Sequence, residues 1–103
     1  MYRDSESYSV VKKILFESVP HVEALKMRRE DDILVVVNRQ KKLFLLNEVA
    51  KDFLLLCDGR RKFAEIVDAL IEIYDVEKNQ LTDDLIDTIQ DLQYKRILRM
   101  EAT

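Results

Sequence analysis

The sequence predicts an α+β domain, winged helix-turn-helix-like, in which a three-stranded antiparallel sheet is followed by three helices. Two observations indicate this class. Short runs of β-branched and other apolar residues occupy residues 22–46, and apolar residues at helical spacing follow over residues 48–92. With 103 residues, of which 48% are hydrophobic, the chain has the size of one domain with a single core.

Residues 1–19 are predicted to form an N-terminal extension of a domain that spans residues 20–101. The spacing of four apolar residues predicts a short amphipathic helix in this extension, which ends before Pro20. The four residues are Val10, Val11, Ile14 and Leu15. Because the segment is otherwise polar and charged, we expect neither a signal peptide nor a membrane-spanning helix.

Three strands are predicted at residues 22–29, 33–37 and 43–46. The polar connections at residues 30–32 and 38–41 are short enough for hairpins, although neither contains the Asn-Gly or Asp-Gly pair of a two-residue turn. A meander in chain order is the simplest arrangement. It places the third strand at an edge of the sheet.

Three helices are predicted after the sheet. Asn47 is a suitable N-cap for the first helix, which we expect to end at Gly59 because glycine readily adopts the left-handed closing conformation. Apolar residues close to 3.6 residues apart predict the second helix over residues 62–74. Thr82 is the predicted N-cap of the third helix, and a last short strand is predicted at residues 97–100.

The sequence offers little catalytic or metal-binding chemistry. Cys57 is the single cysteine and His21 the single histidine, which disfavours a Cys/His catalytic pair and leaves a zinc or iron–sulfur site without ligands. Gly59 is the single glycine, so a phosphate-cradling loop is not expected. We therefore expect no cofactor. A lone cysteine cannot form an internal disulfide and favours a reducing, cytoplasmic location.

The acidic residues of the third predicted helix have a plain structural interpretation. Asp83, Asp87 and Asp91 recur every fourth residue, a pattern that could suit a hard cation. On a helical wheel, however, they lie opposite the apolar stripe and form the solvated face. The net charge of −3 and the pI near 5.2 argue against nucleic acid as the main partner.

The third predicted strand is the strongest candidate for a binding surface. At a sheet edge it would present unpaired amides and carbonyls beside an apolar face. Lys41 and Lys42 could protect such an edge from aggregation, and the N-terminal segment could cover it. Alternatively, an extended peptide adds there as a further strand. The residues alone leave both interpretations open.

An ordered combination of a Leu-Asn step, an Asp-Gly step and an apolar helical tail runs from about residue 20 to residue 100. Its members are Pro20, Arg28 or Arg29, Leu45, Leu46, Asn47, Ala50, Leu56, Cys57, Asp58, Gly59, Ile66, Val67, Leu70, Tyr74, Asp84, Leu92, Ile97 and Leu98. This combination resembles the PqqD family (PQQ-biosynthesis protein D), also called the RiPP recognition element. The chain departs from the family pattern in the glycine-free hairpin 38–41, in Lys62 where a threonine often caps the helix, and in the N-terminal extension.

The resemblance implies a non-catalytic chaperone that binds the leader of a ribosomally made precursor peptide and presents it to a modifying enzyme, commonly a radical SAM maturase. The leader of such proteins adds as a strand against the third strand, in a groove bounded by the third helix. Carried onto this chain, the strand candidates are Lys42, Leu43, Phe44, Leu45 and Leu46, and the helix candidates are Ile86, Ile89, Gln90 and Gln93. On this interpretation we expect neither nucleic acid nor a membrane as a partner, and a homodimer is possible.

Two other functions are kept as alternatives. A winged-helix DNA-binding protein would read DNA with residues 83–96, which carry four acidic and two basic residues and hence a local charge of −2. A homo-oligomerising module would instead pair the edge strands of two copies.

Overall fold

The computed structural model describes residues 5–102. The elements along this range are α1 (Ser5–Glu17), β1 (Val19–Val22), β2 (Ala24–Glu30), β3 (Ile33–Asn38), β4 (Leu43–Leu46), α2 (Glu48–Leu55), α3 (Phe63–Ile71), α4 (Lys78–Tyr94) and β5 (Leu98–Glu101). The predicted α+β fold is confirmed, with β2, β3 and β4 as the three-stranded sheet and α2, α3 and α4 as the helices that follow. Within the described range, no helix has both the length and the apolar character that a bilayer crossing requires.

The three-stranded sheet is an antiparallel meander in the order β2-β3-β4. On β3, Leu34 and Val36 are buried against the helices, and Val35 between them lies on the opposite face. Leu46 and Phe44 of β4 stand directly opposite these two residues, so they share the inner face of the sheet. The inner face thereby forms one wall of the core.

A second, two-stranded sheet joins the segment that follows α1 to the C-terminal end of the described chain. β1 pairs antiparallel with β5, with Pro20 opposite Met100. The prediction of one continuous strand over residues 22–29 was wrong at its start, because β1 and β2 are separate strands. Glu23 lies between them and donates its main-chain N–H to the carbonyl of Ile97 at 2.7 Å. The predicted last strand corresponds to β5.

The start of α2 was predicted correctly and its end was not. Asn47 is the N-cap, since its Oδ1 accepts a hydrogen bond of 3.0 Å from the N–H of Ala50. The helix ends at Leu55, well before Gly59. The last apolar residues of the predicted helix therefore belong to the connection to α3.

A turn organised by Asp58 replaces the predicted end of the helix. The Asp58 carboxylate accepts the main-chain N–H groups of Arg60 and Arg61, both at 2.9 Å. These hydrogen bonds hold the pKa of Asp58 below its usual range. Gly59 occupies the left-handed region at φ +80 within this turn, so the predicted conformation of the glycine is present although the helix does not reach it.

α3 follows this turn and is shorter than predicted. It begins after Lys62, whose N–H donates to the Glu65 carboxylate at 2.8 Å, so the first turn is capped without the threonine of the family pattern. The helix ends at Ile71, and Tyr74 lies in the turn beyond it.

α4 begins at Lys78, and Thr82 is not its N-cap. Glu77 has that position, because its carboxylate accepts the N–H groups of Asn79 and Gln80, both at 3.1 Å. Thr82 is buried one turn inside the helix and donates its hydroxyl to the carbonyl of Lys78 at 2.8 Å. The third predicted helix therefore starts a full turn earlier than the sequence pattern suggested.

The predicted N-terminal helix exists as α1 and packs on the helical body. The Phe16 and Phe63 rings are stacked with their centroids 5.7 Å apart, which joins α1 to α3. At the other end of α1, the Tyr8 hydroxyl donates to the Asp83 carboxylate near the start of α4, and Lys12 Nζ lies 3.6 Å from the same carboxylate. Asp83 therefore serves as a docking point for α1 rather than as a purely solvated residue.

Candidate functional site

β4 is an edge strand, as the sequence predicted. Among residues 5–102 its only strand partner is β3, so the opposite edge of β4 is free of a neighbouring strand. α1, which could have covered this edge, instead packs on α3 and on the Asp83 end of α4. The backbone groups on this edge are therefore available to a further strand.

The hydrogen-bond pattern of the β3–β4 hairpin determines which residues point outward. Asn38 donates its N–H to the carbonyl of Lys42 at 2.9 Å, which marks these two residues as a hydrogen-bonded pair. Such pairs alternate with non-hydrogen-bonded pairs along antiparallel strands. In this register Phe44 directs its N–H and C=O toward β3, whereas Leu43 and Leu45 direct theirs to the free edge.

The side chains of β4 alternate between two different surroundings. Phe44 is half-buried beneath the sheet and Leu46 is buried in the core. Leu43 and Leu45 lie on the outer face and are 61% and 62% exposed. Their cross-strand neighbours on β3 are Val37 and Val35, so an aliphatic surface covers the outer face of the sheet at this edge.

A cleft opens between β4 and the C-terminal end of α4, and we call it the Phe44 cleft. It has a volume of about 430 Å³ and is lined by Asn38, Gln40, Lys42, Phe44, Tyr94, Lys95 and Arg96. Lys95 Nζ lies 5.4 Å from the centre of the Phe44 ring and also forms a 2.8 Å ion pair with Asp91. Tyr94 is 87% exposed at the rim, so the cleft combines aromatic surface with positive charge.

A second cleft, the Asn47 cleft, lies at the other end of β4. Its volume is about 260 Å³ and its lining residues are Asn47, Val49, Tyr74, Val76, Leu81, Asp84 and Thr88. The Tyr74 hydroxyl donates to the Asp52 carboxylate, and burial together with this contact raises the pKa of Tyr74 well above its usual range. The Tyr74 side chain is therefore neutral and hydrogen-bonded, and it lines one side of a largely apolar cleft. The two clefts and the β4 edge between them are called the β4–α4 groove below.

Ile86, Ile89 and Gln90 lie on the flank of α4 that faces α1, away from β4, whereas Gln93 lies both on that flank and in a cleft that it shares with Gln40 and Arg96 beside the Phe44 cleft. Ile86, Ile89, Gln90 and Gln93 line a cleft of about 440 Å³ together with Val11 and Leu15 of α1. Ile86 and Ile89 are buried there, whereas Gln90 and Gln93 are exposed. The flank of α4 that faces β4 carries Asp84, Thr88 and Lys95 instead. A helical wheel shows that the apolar stripe of α4 has two flanks, but it does not show which flank faces β4. That choice follows from the packing of α1, which occupies the Ile86 flank.

The lone cysteine has no nucleophilic character. Cys57 is buried and its thiol donates to the carbonyl of Phe53 at 3.3 Å. Burial, assisted by the nearby charge of Asp58, raises the pKa of Cys57 to about 12, so the thiol remains protonated at neutral pH. His21 lies in the two-stranded sheet, where its Nε2 is 2.9 Å from the Glu101 carboxylate.

Metal coordination has no support in the described part of the chain. Residues 5–102 contain no group of three or more His, Cys, Asp or Glu side chains arranged to hold an ion. The acidic residues of α4 that recur every fourth position are used in protein contacts, Asp83 with α1 and Asp91 with Lys95.

Comparisons with known proteins match this architecture. The family model described as Coenzyme PQQ synthesis protein D (PqqD) matches residues 33–98, from β3 into β5. A protein of Rhodopseudomonas palustris (strain TIE-1) named PqqA binding protein is 33% identical over 63 residues, which span 61% of this chain and 62% of that protein. Among solved structures, TbiB1 in complex with the TbiA(beta) leader peptide matches with a TM-score of 0.68 and 27% identity, over 75% of this chain and 91% of that chain.

Proposed function

Because the chain belongs to the PqqD family, we propose that it is a non-catalytic adaptor that binds the leader of a ribosomally made precursor peptide and presents it to a peptide-modifying enzyme. The leader adds as a strand to the free edge of β4 and lies in the β4–α4 groove. A radical SAM maturase is the class of modifying enzyme that we propose as the partner.

The observation that carries this proposal is the orientation of the β4 backbone. Leu43 and Leu45 present their N–H and C=O groups outward, at a strand edge that lies beside two clefts. An incoming peptide strand satisfies these groups with main-chain hydrogen bonds, which bind many sequences, and its side chains supply the selectivity.

Strand addition also predicts which side chains of the peptide are recognised. A residue opposite Phe44 or Leu46 points inward, toward the clefts and α4. A residue opposite Leu43 or Leu45 points outward and extends the aliphatic outer face of the sheet. The bound leader should therefore contain apolar residues at alternate positions on its inward side.

The named relatives support this assignment. One is named for binding PqqA, and the other was solved with a leader peptide bound. The match to TbiB1 covers 91% of the TbiB1 chain, so the structural similarity extends over nearly all of that protein.

The proposed site consists of residues 42–46 and the flank of α4 that faces them, with Thr88 and Lys95 as the first helix residues to test. The contact of Ile86, Ile89, Gln90 and Gln93 with the leader remains a prediction, and α1 has to move for the two isoleucines to take part. A non-catalytic role fits the protonated, buried Cys57.

A titration with the leader of the precursor peptide encoded beside this gene tests the proposal. Fluorescence anisotropy of the labelled leader should saturate at micromolar protein or below. L45P removes an N–H that points to the free edge and should abolish binding, whereas L45A retains that N–H and should bind within a few-fold of the wild type. Equal binding by L45P and the wild type would contradict strand addition.

A control separates this result from general unfolding and from self-association. F44P removes an N–H that pairs with β3, so we expect it to lower the folding stability, while L45P should leave circular dichroism and thermal unfolding close to those of the wild type. Light scattering across protein concentrations shows whether the edge pairs with a second copy in the absence of peptide.

A further inference from the structure

A third cleft lies next to the Phe44 cleft, and we call it the arginine cleft. Its volume is about 330 Å³, and its lining residues are Glu23, Arg39, Gln40, Gln93, Arg96, Leu98, Arg99 and Met100. Gln40 and Arg96 line both this cleft and the Phe44 cleft. The two clefts are therefore neighbouring parts of one surface at the Leu43 end of β4.

This surface concentrates positive charge on an acidic chain. Its two clefts are lined by five cationic side chains and one carboxylate, although the whole chain has 17 basic and 20 acidic residues. The cationic residues are Arg39, Lys42, Lys95, Arg96 and Arg99. The negative end of the α4 dipole favours cations such as Lys95 and Arg96, whereas Arg39 and Lys42 come from the hairpin and Arg99 from β5.

Part of this charge lacks an internal partner. Among the described residues, Arg39 and Arg96 form no ion pair or side-chain hydrogen bond. Arg99 has only long ion pairs, 3.8 Å to Glu23 and 3.6 Å to Glu101. Lys95, by contrast, has Asp91 at 2.8 Å. Lys42 likewise has no ion pair among the described residues, so its ammonium and the guanidinium groups of Arg39 and Arg96 are available to an anionic ligand.

Arg96 is also held in an unusual backbone conformation. Its φ is +59, and the chain closes α4 around it, with Ile97 N–H donating to the Leu92 carbonyl at 2.9 Å and Arg96 N–H to Gln93 at 3.0 Å. Glycine or asparagine is the usual residue at this closing position. Here it carries a guanidinium, placed at the junction of the two clefts.

We infer that the arginine cleft and the cationic side of the Phe44 cleft form an anion subsite that binds acidic residues of the leader. This inference rests on the proposed function. A peptide paired with β4 passes the Phe44 cleft and continues past Leu43 toward Gln40 and Arg96, where its carboxylates meet Arg39 and Arg96. The Asn47 cleft at the other end carries Asp84 instead, so the charge of the groove also orients the peptide.

The first experiment tests the subsite without a leader. Acetyl-Glu-Glu-Glu-Glu-amide is titrated into ¹⁵N-labelled protein, with acetyl-Lys-Lys-Lys-Lys-amide as the matched control. We expect millimolar, salt-sensitive binding of the acidic peptide, with chemical-shift changes centred on Gln40, Arg96 and Arg99. Changes spread evenly over the surface, or equal changes with the lysine peptide, would overturn the inference.

The second experiment uses the leader encoded beside this gene. R39Q/R96N removes the two unpaired guanidinium groups, and Asn tolerates the positive φ at position 96. K26Q/R60Q removes two cations elsewhere and is the matched control for net charge. At low salt we expect R39Q/R96N to bind the leader about tenfold more weakly and the control to change less than about twofold.

The outcomes distinguish this inference from the proposed function. Replacing the acidic residues of the leader by their amides should weaken binding to the wild type but not to R39Q/R96N, and raising the salt concentration should remove most of the difference. If L45P abolishes leader binding while R39Q/R96N binds like the wild type, strand addition stands and the anion subsite is wrong. If the leader does not bind the wild type at all, both fail, whatever the tetrapeptide does.

Discussion

The side-chain amide of Asn38 donates a hydrogen bond of 2.8 Å to the main-chain carbonyl of Lys95. The same side chain accepts the N–H groups of Gln40 and Lys42, both at 3.0 Å, so one buried residue shapes the β3–β4 hairpin and attaches it to the end of α4. This contact sets the distance between the two walls of the Phe44 cleft.

Replacing Asn38 should therefore affect both stability and binding. N38A leaves two N–H groups and one carbonyl without their partner and should lower the unfolding free energy by about 2–3 kcal/mol. N38D keeps an acceptor for the two N–H groups but places an anionic oxygen against the Lys95 carbonyl in a buried position, so it should also be less stable than the wild type. Urea denaturation of the three proteins checks the order, and equal stability of N38A and the wild type would show that the contact is not structural.

Cys57 should make the folded state sensitive to high pH. Its folded pKa of about 12 exceeds its ordinary value of 9.0, so the folded protein holds the proton more tightly than the unfolded chain. The associated stability is complete below about pH 9 and is lost as the pH rises from there toward 12. Between pH 8 and pH 10.5 the wild type should lose more unfolding free energy than C57S, measured in urea, and parallel curves would contradict burial of the thiol.

Gly59 should not accept a side chain without loss of stability. At φ +80, alanine is strained, and its Cβ would lie 3.3 Å from Nδ1 of His21. G59A should lower the unfolding free energy by about 1–2 kcal/mol. A double-mutant cycle with H21A separates the two causes, since relief of the contact reduces the loss while backbone strain remains.

α1 should contribute stability without affecting the groove. F16A removes the ring stacked on Phe63 and should lower the unfolding free energy by about 1–2 kcal/mol and speed proteolysis of α1. Val10 is 57% exposed on the same helix, so V10S serves as the control with little expected change. Leader affinity of F16A should match the wild type, and a gain in affinity would show that α1 competes for the peptide site.

Local patterns in the sequence predicted much of the fold. A β-branched run located β3 and an apolar run located β4, the side-chain acceptor of Asn47 located the start of α2, and the meander order placed β4 at the edge. These features depend on residues a few positions apart. The same local reasoning failed at helix ends, where Asp58 and Glu77 compete for the backbone N–H groups and change where α2 ends and where α4 begins.

The sequence by itself determined the order of the three-stranded meander and the three helices that follow it, and the edge position of β4, because periodicity, propensity and residue type act over short stretches of chain. Only the tertiary structure decided that α1 takes the Ile86 flank of α4 and leaves the Thr88 flank to β4. It also decided that β1 pairs with β5 and that Arg39, Arg96 and Arg99 line the same cleft. Such contacts join residues far apart in sequence, and their geometry depends on how the whole core packs.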